Sequence, residues 1–474
     1  MSYRLMRLRR SRVGSQIGIE TRKHDSVDYL GPILLAWCIL VLLTSPIIGF
    51  TSAISILMFT GLVLAVVGLV WGGAGILGIG ILCTVDSIAR SIILMGGLLR
   101  FNTFNYWLLI IVVLSIPFLL WLNDAHIRFF EIFLAILIVE LVYSSNKTSG
   151  ILDVLNLIGF LGLIVYFSKS AGKDAFYYWM GLINGVIAGV GSIFYFLQQS
   201  NLPYVNPNGW AFFPLTAIFS ICLAFPHLGN SNRKRFVFLA LAGLNMIWVF
   251  LSSSRGGMLM GLCCLVFLIF YLRSLSWTSI LVVIIAAASL WMSMQFADQQ
   301  YLSLTRINKL FNSDLSSGER TSGRSVIAMA GIEVFLEHPL GVGTGGFKEA
   351  VAEVGWFGDE GRMAHSAWIK ILGENGFPGL LAFFLFIGSY AVVGWLKKEK
   401  DLLLIGLLVT VVLSVGFLAH ELQGKGLWFL AAGGSTFLHK DQLVDYMQYS
   451  RKNRLVKRYA ARLNDKSGEI HAAN

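Results

Sequence analysis

Charge is what this chain lacks most. Asp, Glu, Lys and Arg make up 13% of its 474 residues, about half the share of roughly 25% usual in soluble globular proteins. That shortage excludes an ordinary soluble enzyme. Cysteine is also scarce: Cys38, Cys83, Cys222, Cys263 and Cys264 all lie inside apolar runs. With none in a polar loop, neither a disulfide framework nor a thiolate metal site is expected. No grouping of His, Cys and carboxylates has metal-ligand spacing, so metal-independent chemistry without a cofactor is the expectation. A nucleophile elbow of the Ser-His-Asp hydrolase type is missing as well. The glycine-rich stretch Leu340-Gly-Val-Gly-Thr-Gly-Gly-Phe347 lacks the closing Gly-Lys-Ser/Thr of a nucleotide loop and reads as a tight structural turn.

What the chain has instead is apolar length. Hydrophobic residues reach 56% and the mean hydropathy is +0.71. A membrane-spanning helix needs about 20 mostly apolar residues. Runs of that kind occur near 31–50, 52–71, 73–98, 106–122, 129–143, 150–168, 176–198, 209–228, 236–251, 257–272, 278–296, 378–396, 402–420 and 424–438. Several are short or broken by glycine, so the fold class expected is all-α, a polytopic membrane bundle of about 12–14 spanning helices. The first apolar run is long enough to span, and a cleavable signal peptide is not expected. The division is a basic arm (1–28), a bundle (29–296), a polar loop domain with short helices (297–377), a C-terminal pair of spans (378–439) and a basic tail (440–474).

The net charge of +11 sits beside the membrane rather than on a nucleic-acid surface. Residues 1–25 carry seven Lys/Arg against two acids, and the tail carries eight against four. Further clusters are Arg233-Lys234-Arg235 and Lys397-Lys398-Glu399-Lys400. Basic bias marks cytoplasmic loops, and such segments are solvated or rest on anionic lipid. Crossing out from Arg235 along 236–251 puts Ser252-Ser-Ser-Arg255-Gly-Gly257 on the far face. The next two crossings place the 298–364 loop on that same face. Its six Lys/Arg against nine Asp/Glu fit an external loop. Both termini are expected in the cytoplasm.

Arg255 ends one span and begins another. An arginine there either snorkels as an anchor or serves a polar site. Ser254 before it and two glycines after it make a donor-rich turn into which a phosphate could fit. Arg324 opens an amphipathic stretch with Ile327, Ala330, Gly331, Val334 and Phe335 at helical spacing. It is either half of a surface ion pair or an anion ligand at a helix N-terminus. His338, before Pro339, reads as a helix cap or dipole partner. His365 opens a helix with Trp368, Ile369 and Leu372 on its apolar face, a stop at Gly376 and a new start at Pro378. A helix N-terminus disfavours the imidazolium, so the neutral, base-competent form is expected.

These segments together resemble the O-antigen ligase and O-antigen polymerase superfamily. The matching pieces are Asn206-Pro-Asn208, Ser252-Ser-Ser-Arg255-Gly-Gly, Arg324, His338-Pro-Leu-Gly-Val-Gly-Thr-Gly-Gly-Phe347 and His365-Ser-Ala-Trp368, followed by Glu374-Asn-Gly-Phe-Pro-Gly-Leu380. The likeness is firm over 200–385 and topological elsewhere. Ser366 stands where many relatives have asparagine, and Trp368 where tyrosine or leucine is common. The resemblance implies a GT-C-like, inverting glycosyltransferase of the bacterial inner membrane, with its site facing the periplasm. Such an enzyme moves a glycan en bloc from a polyprenyl (undecaprenyl) diphosphate carrier to a hydroxyl of lipid A core or another glycan acceptor. It implies Arg255 and Arg324 as diphosphate ligands and His365 as the base. Ser254, Asn208, His338 and Glu374 are the supporting positions. Membrane lipids are the other partners, and nucleic acid is not expected.

Two rivals remain at this level. A polymerase would join lipid-linked repeat units with the same residues. A lipid-linked glycan transporter would bury charges in several spans and show repeated halves, whereas this sequence gathers its polar residues on one face.

Overall fold

The computed structural model describes residues 27–71, 74–95, 125–169, 174–198, 207–229, 231–252, 254–272, 323–355, 362, 364–419 and 425–438. The expected spans at 106–122 and 278–296, the loop residues 298–322 and both basic termini lie outside them. The described residues form fourteen α-helices and no strand. They are α1 (Val27–Ile48), α2 (Phe50–Trp71), α3 (Ala74–Met95), α4 (Ala125–Glu140), α5 (Lys147–Lys169), α6 (Asp174–Gln198) and α7 (Pro207–Ala224). Then follow α8 (Asn232–Leu251), α9 (Arg255–Tyr271), α10 (Arg324–Glu337), α11 (Phe347–Glu353), α12 (Ala367–Leu396), α13 (Lys400–Ala419) and α14 (Lys425–Leu438).

Eight of these helices are long and apolar enough to cross a membrane, and α9 is a shorter apolar helix. In hydrocarbon a helix satisfies its own backbone, and helix pairing rests on close approach and a few polar contacts. Both devices are visible in α6. Gly181, Gly185 and Gly189 form a small-residue stripe against Ala224 and Phe238, then Ile221 and Leu241, then Leu244. Asn184 Nδ2 donates to Ser220 Oγ (2.9 Å) and Asn245 Nδ2 to the Gly185 carbonyl (3.0 Å). The central helix is α7, nearly all buried, which packs on α3, α6, α8, α9 and α14. A second knot is aromatic: Phe130, Phe160, Phe386 and Trp428 bring α4, α5, α12 and α14 together with ring centroids 4.7–6.1 Å apart.

The stop at Gly376 and restart at Pro378 are present, and they do more than divide a helix. Gly376 has φ 57° and ψ −155°, a conformation open to glycine. The chain folds back there: Trp368 packs on Phe383 with centroids 5.0 Å apart, and Ile371 lies beside Gly379. Residues 367–375 therefore form a short arm laid against the spanning arm 378–396.

Candidate functional site

Helix starts collect at one end of the bundle. Gly257 packs on Ala211, and Gly261 on Leu215, so α7 and α9 run parallel with their first turns level. Asn208 lies in the first turn of α7 and Arg255 is the first residue of α9. A β-carbon at Gly416 would stand 3.0 Å from Met260 Sδ, so the end of α13 lies about 7.5 Å of helical rise below Arg255. The carbonyl of the neighbouring Phe417 accepts from Ser366 Oγ at 3.4 Å, and Trp368 Nε1 donates to the Ser414 carbonyl at 3.0 Å. The start of the 367–375 arm, with His365 just ahead of it, is thereby fixed to the same end of α13.

The loop helix that Arg324 opens is aligned with the 367–375 arm. Gly331 lies against Ile369 and Val334 against Gly373, while Phe377 N–H donates to the Pro339 carbonyl at 3.0 Å. These three contacts advance together along both segments, so α10 runs parallel to the 367–375 arm. Ile327 and Ala364 share a small core with Ala330, Val334, Phe347 and Val351. Arg324, first residue of α10, and His365 consequently stand at the same end of the pair. Arg255 and Arg324 are half-buried and His365 is exposed.

The remaining described positions read from the sequence are Ser254, His338 and Glu374. The Ser254 side chain is buried and caps α9, accepting the Gly257 N–H at 3.2 Å. Ser252 Oγ donates to the Val249 carbonyl at 2.6 Å. These hydroxyls shape the turn beside Arg255. His338 is the exposed C-cap of α10, a cap as expected, some 20 Å of helical rise from Arg324. Glu374 is buried on the 367–375 arm, where its Oε1 accepts the Phe347 N–H at 3.3 Å.

The glycine-rich stretch is the structural turn expected. Gly341, Gly343 and Gly345 have φ of 89°, 95° and 93°. Their α-carbons press on the Glu374 carbonyl, Ser144 and Gly150, where a β-carbon would stand 2.2–2.8 Å from backbone. Gly343 N–H donates to the Glu374 carbonyl (2.9 Å), and Thr344 Oγ1 to the Leu137 carbonyl (3.0 Å). The turn is thus a clasp between the 141–146 corner and the 367–375 arm.

Beneath it lies a polar network that the sequence reading passed over. Lys370 Nζ is 2.5 Å from Asp153 Oδ2 and 3.9 Å from Glu374 Oε1, all three side chains being buried. Asn375 Nδ2 donates to Glu140 Oε2 and, at 2.9 Å, to Thr344 Oγ1. A second buried pair, Lys425 Nζ with Asp86 Oδ1 at 2.9 Å, joins α14 to α3. The sequence reading placed the polar residues on one face; these pairs amend it. The signal was there, since Asp86, Glu140 and Asp153 interrupt apolar runs, and ionisable residues in such runs ask for a partner. No cluster of three or more metal-ligating side chains occurs among the described residues.

Helix architecture and apolar exterior define a multi-pass membrane protein in which residues 338–346 clasp the 367–375 arm to the bundle. Residues 236–384 match the family model for O-antigen ligase, a segment of roughly a third of the chain that holds Arg255, Arg324, His338, His365 and Glu374. Over that segment the match supports the resemblance to the O-antigen ligase and polymerase superfamily. No curated protein matches the chain.

Proposed function

We propose that this protein is a glycosyltransferase of the O-antigen ligase type. It transfers a glycan en bloc from a polyprenyl diphosphate to an acceptor hydroxyl, such as one on lipid A core, at the periplasmic face of the inner membrane. One observation carries the reading. Three basic side chains stand at helix starts, Arg255 and Arg324 as first residues and His365 two residues ahead of its helix. A helix N-terminus offers free N–H groups to an anion, and basic side chains beside it add positive charge. A diphosphate matches that charge, and arginine forks suit its oxygens.

In this mechanism the two arginines and the helix N-termini stabilise the charge that grows on the diphosphate as its bond to the anomeric carbon breaks. His365 takes the proton from the acceptor hydroxyl as that oxygen attacks from the opposite side. In-line displacement inverts the anomeric centre.

The test is His365→Ala, assayed in proteoliposomes with extracted polyprenyl diphosphate-linked glycan. Transfer should fall about 10²–10⁴-fold while the donor still binds; turnover at the wild-type rate would remove the base from the mechanism. Deletion in the source strain separates the acceptors. Unmodified lipid A core with long carrier-linked chains identifies a ligase, and single-repeat products identify a polymerase.

A further inference from the structure

The loop helix α10 is apolar on two opposite faces. Ile327, Ala330, Gly331 and Val334 are buried, and the last two lie against Ile369 and Gly373 of the 367–375 arm. Met329, Ile332 and Leu336 recur at intervals of three and four residues and form a second stripe, 44–70% exposed. At 100° per residue this stripe falls on the side of the helix away from the arm. A helix solvated on that side would carry polar residues there. Glu333, one turn beyond Met329, is half-buried, and the exposed Glu337 and His338 come only at the end of the helix.

The neighbouring span sets the depth of the stripe. Residues 378–396 rise about 28 Å, close to the roughly 30 Å of a bilayer's hydrocarbon, so Pro378 stands near one boundary of it. Phe383 packs on Phe417 with centroids 5.3 Å apart, and Gly416 lies against Met260 of α9, so that boundary is the one on the Arg255 side. Trp368 packs on Phe383, five residues past Pro378 and thus about 7.5 Å of helical rise inside the boundary. Ile369, next to Trp368, is the residue on which the middle of α10 rests. The loop helix therefore accompanies the first turns of the span.

The stripe also continues into the lipid-facing surface of that span. Phe377 N–H donates to the Pro339 carbonyl at 3.0 Å, and Leu340 beside Pro339 is exposed. Phe377, Leu381 and Phe384 then follow at helical spacing, each more than 40% exposed. One apolar surface runs from α10 onto a helix whose outward side meets hydrocarbon.

We infer that the Met329–Ile332–Leu336 stripe is immersed among the acyl chains of the leaflet on the Arg255 side, so that α10 is a membrane-embedded helix. A stripe of large apolar side chains is what an interfacial helix buries in lipid and what a soluble surface keeps small. The occupant of this face is bulk bilayer lipid. The inference goes beyond the transfer reading and does not depend on it.

Two measurements test it, with the full chain in nanodiscs of phosphatidylethanolamine and phosphatidylglycerol. In the first, Met329→Cys, Ile332→Cys and Leu336→Cys each carry one nitroxide, and labelled wild type supplies the background of the native cysteines. Collisions with oxygen, which concentrates in hydrocarbon, are compared with collisions with a water-soluble nickel chelate. The ratio of oxygen to nickel collisions should match that of Phe384→Cys on the span. It should exceed several-fold that of Lys348→Cys, an exposed position of α11. Collisions dominated by nickel at the three positions would return α10 to water and overturn the inference. Few collisions with either reagent would mean that protein covers the stripe, and would overturn it as well. The second measurement leaves the sequence intact. Phosphatidylcholine added to the nanodiscs with a diazirine at mid-chain should label the peptide containing Ile332 as it labels the one containing Phe384. Label on the Phe384 peptide alone would overturn the inference. Neither readout needs turnover, so an inactive protein that gives the expected pattern would strike the transfer reading and leave the embedded helix standing.

Discussion

Two sets of charges in this molecule obey opposite rules. Asp86 with Lys425, and Asp153 with Lys370 and Glu374, are buried and closed on one another. Arg255, Arg324 and His365 are half-buried or exposed and stand at helix starts, where the backbone already presents positive potential. The first set follows the need of a low-dielectric interior, which tolerates charge only with a partner. The second runs against helix preference. Natural sequences break local rules mainly where function requires it, and that contrast separates what holds this protein together from what is proposed to work on a substrate.

The comparison breaks most visibly by removing one partner of a buried pair. Lys370→Met leaves Asp153 and Glu374 buried without their cation and should cost about 3–5 kcal/mol, read as a loss of thermal stability in detergent. The double variant Lys370→Met/Asp153→Leu should recover much of that loss. A Lys370→Met protein as stable as wild type would show that the network is not structural.

Gly341→Val addresses the clasp. It forces a side chain into φ 89° and against the Glu374 carbonyl. A penalty of about 1–3 kcal/mol for the backbone alone should appear as increased proteolysis of the 338–376 region. Arg255→Lys addresses the second set: lysine keeps the charge but lacks the fork. Transfer should drop about 10–100-fold, consistent with losing one to two charge-assisted hydrogen bonds, with stability unchanged. Full activity would return Arg255 to the role of a membrane anchor. The smallest effect belongs to Ser254→Ala, which deletes the α9 cap and should cost about 1 kcal/mol, measured as a modest fall in Tm. A much larger loss of activity than of stability would mean that Ser254 also meets the substrate.

The helices were legible because the bilayer demands apolar length, and twelve of the fourteen expected runs coincide with helices among the described residues. Gly376 and Pro378 were legible as a break from their backbone chemistry. What the break does was not. The fold-back of Trp368 onto Phe383 depends on contacts fifteen residues apart that no local pattern encodes. Lys370 finds Asp153 217 residues away, and only the assembled bundle reveals that pairing. Arg255, Arg324 and His365 were visible as residue types out of place in their surroundings. How the helices that carry them pack needed the contacts of Gly257 with Ala211, Gly416 with Met260 and Gly331 with Ile369. The cap formed by Ser254 was not singled out, because a cap and a ligand donor use the same residue type.

The glycine clasp has a mechanical consequence. Three alternate left-handed glycines pinned to Glu374, Ser144 and Gly150 weld the 367–375 arm to the corner between α4 and α5. The histidine ahead of that arm is mounted as on a bracket rather than on a swinging lid. Geometry at such a mounting is set when the chain folds, and in the proposed reaction the substrates do the travelling.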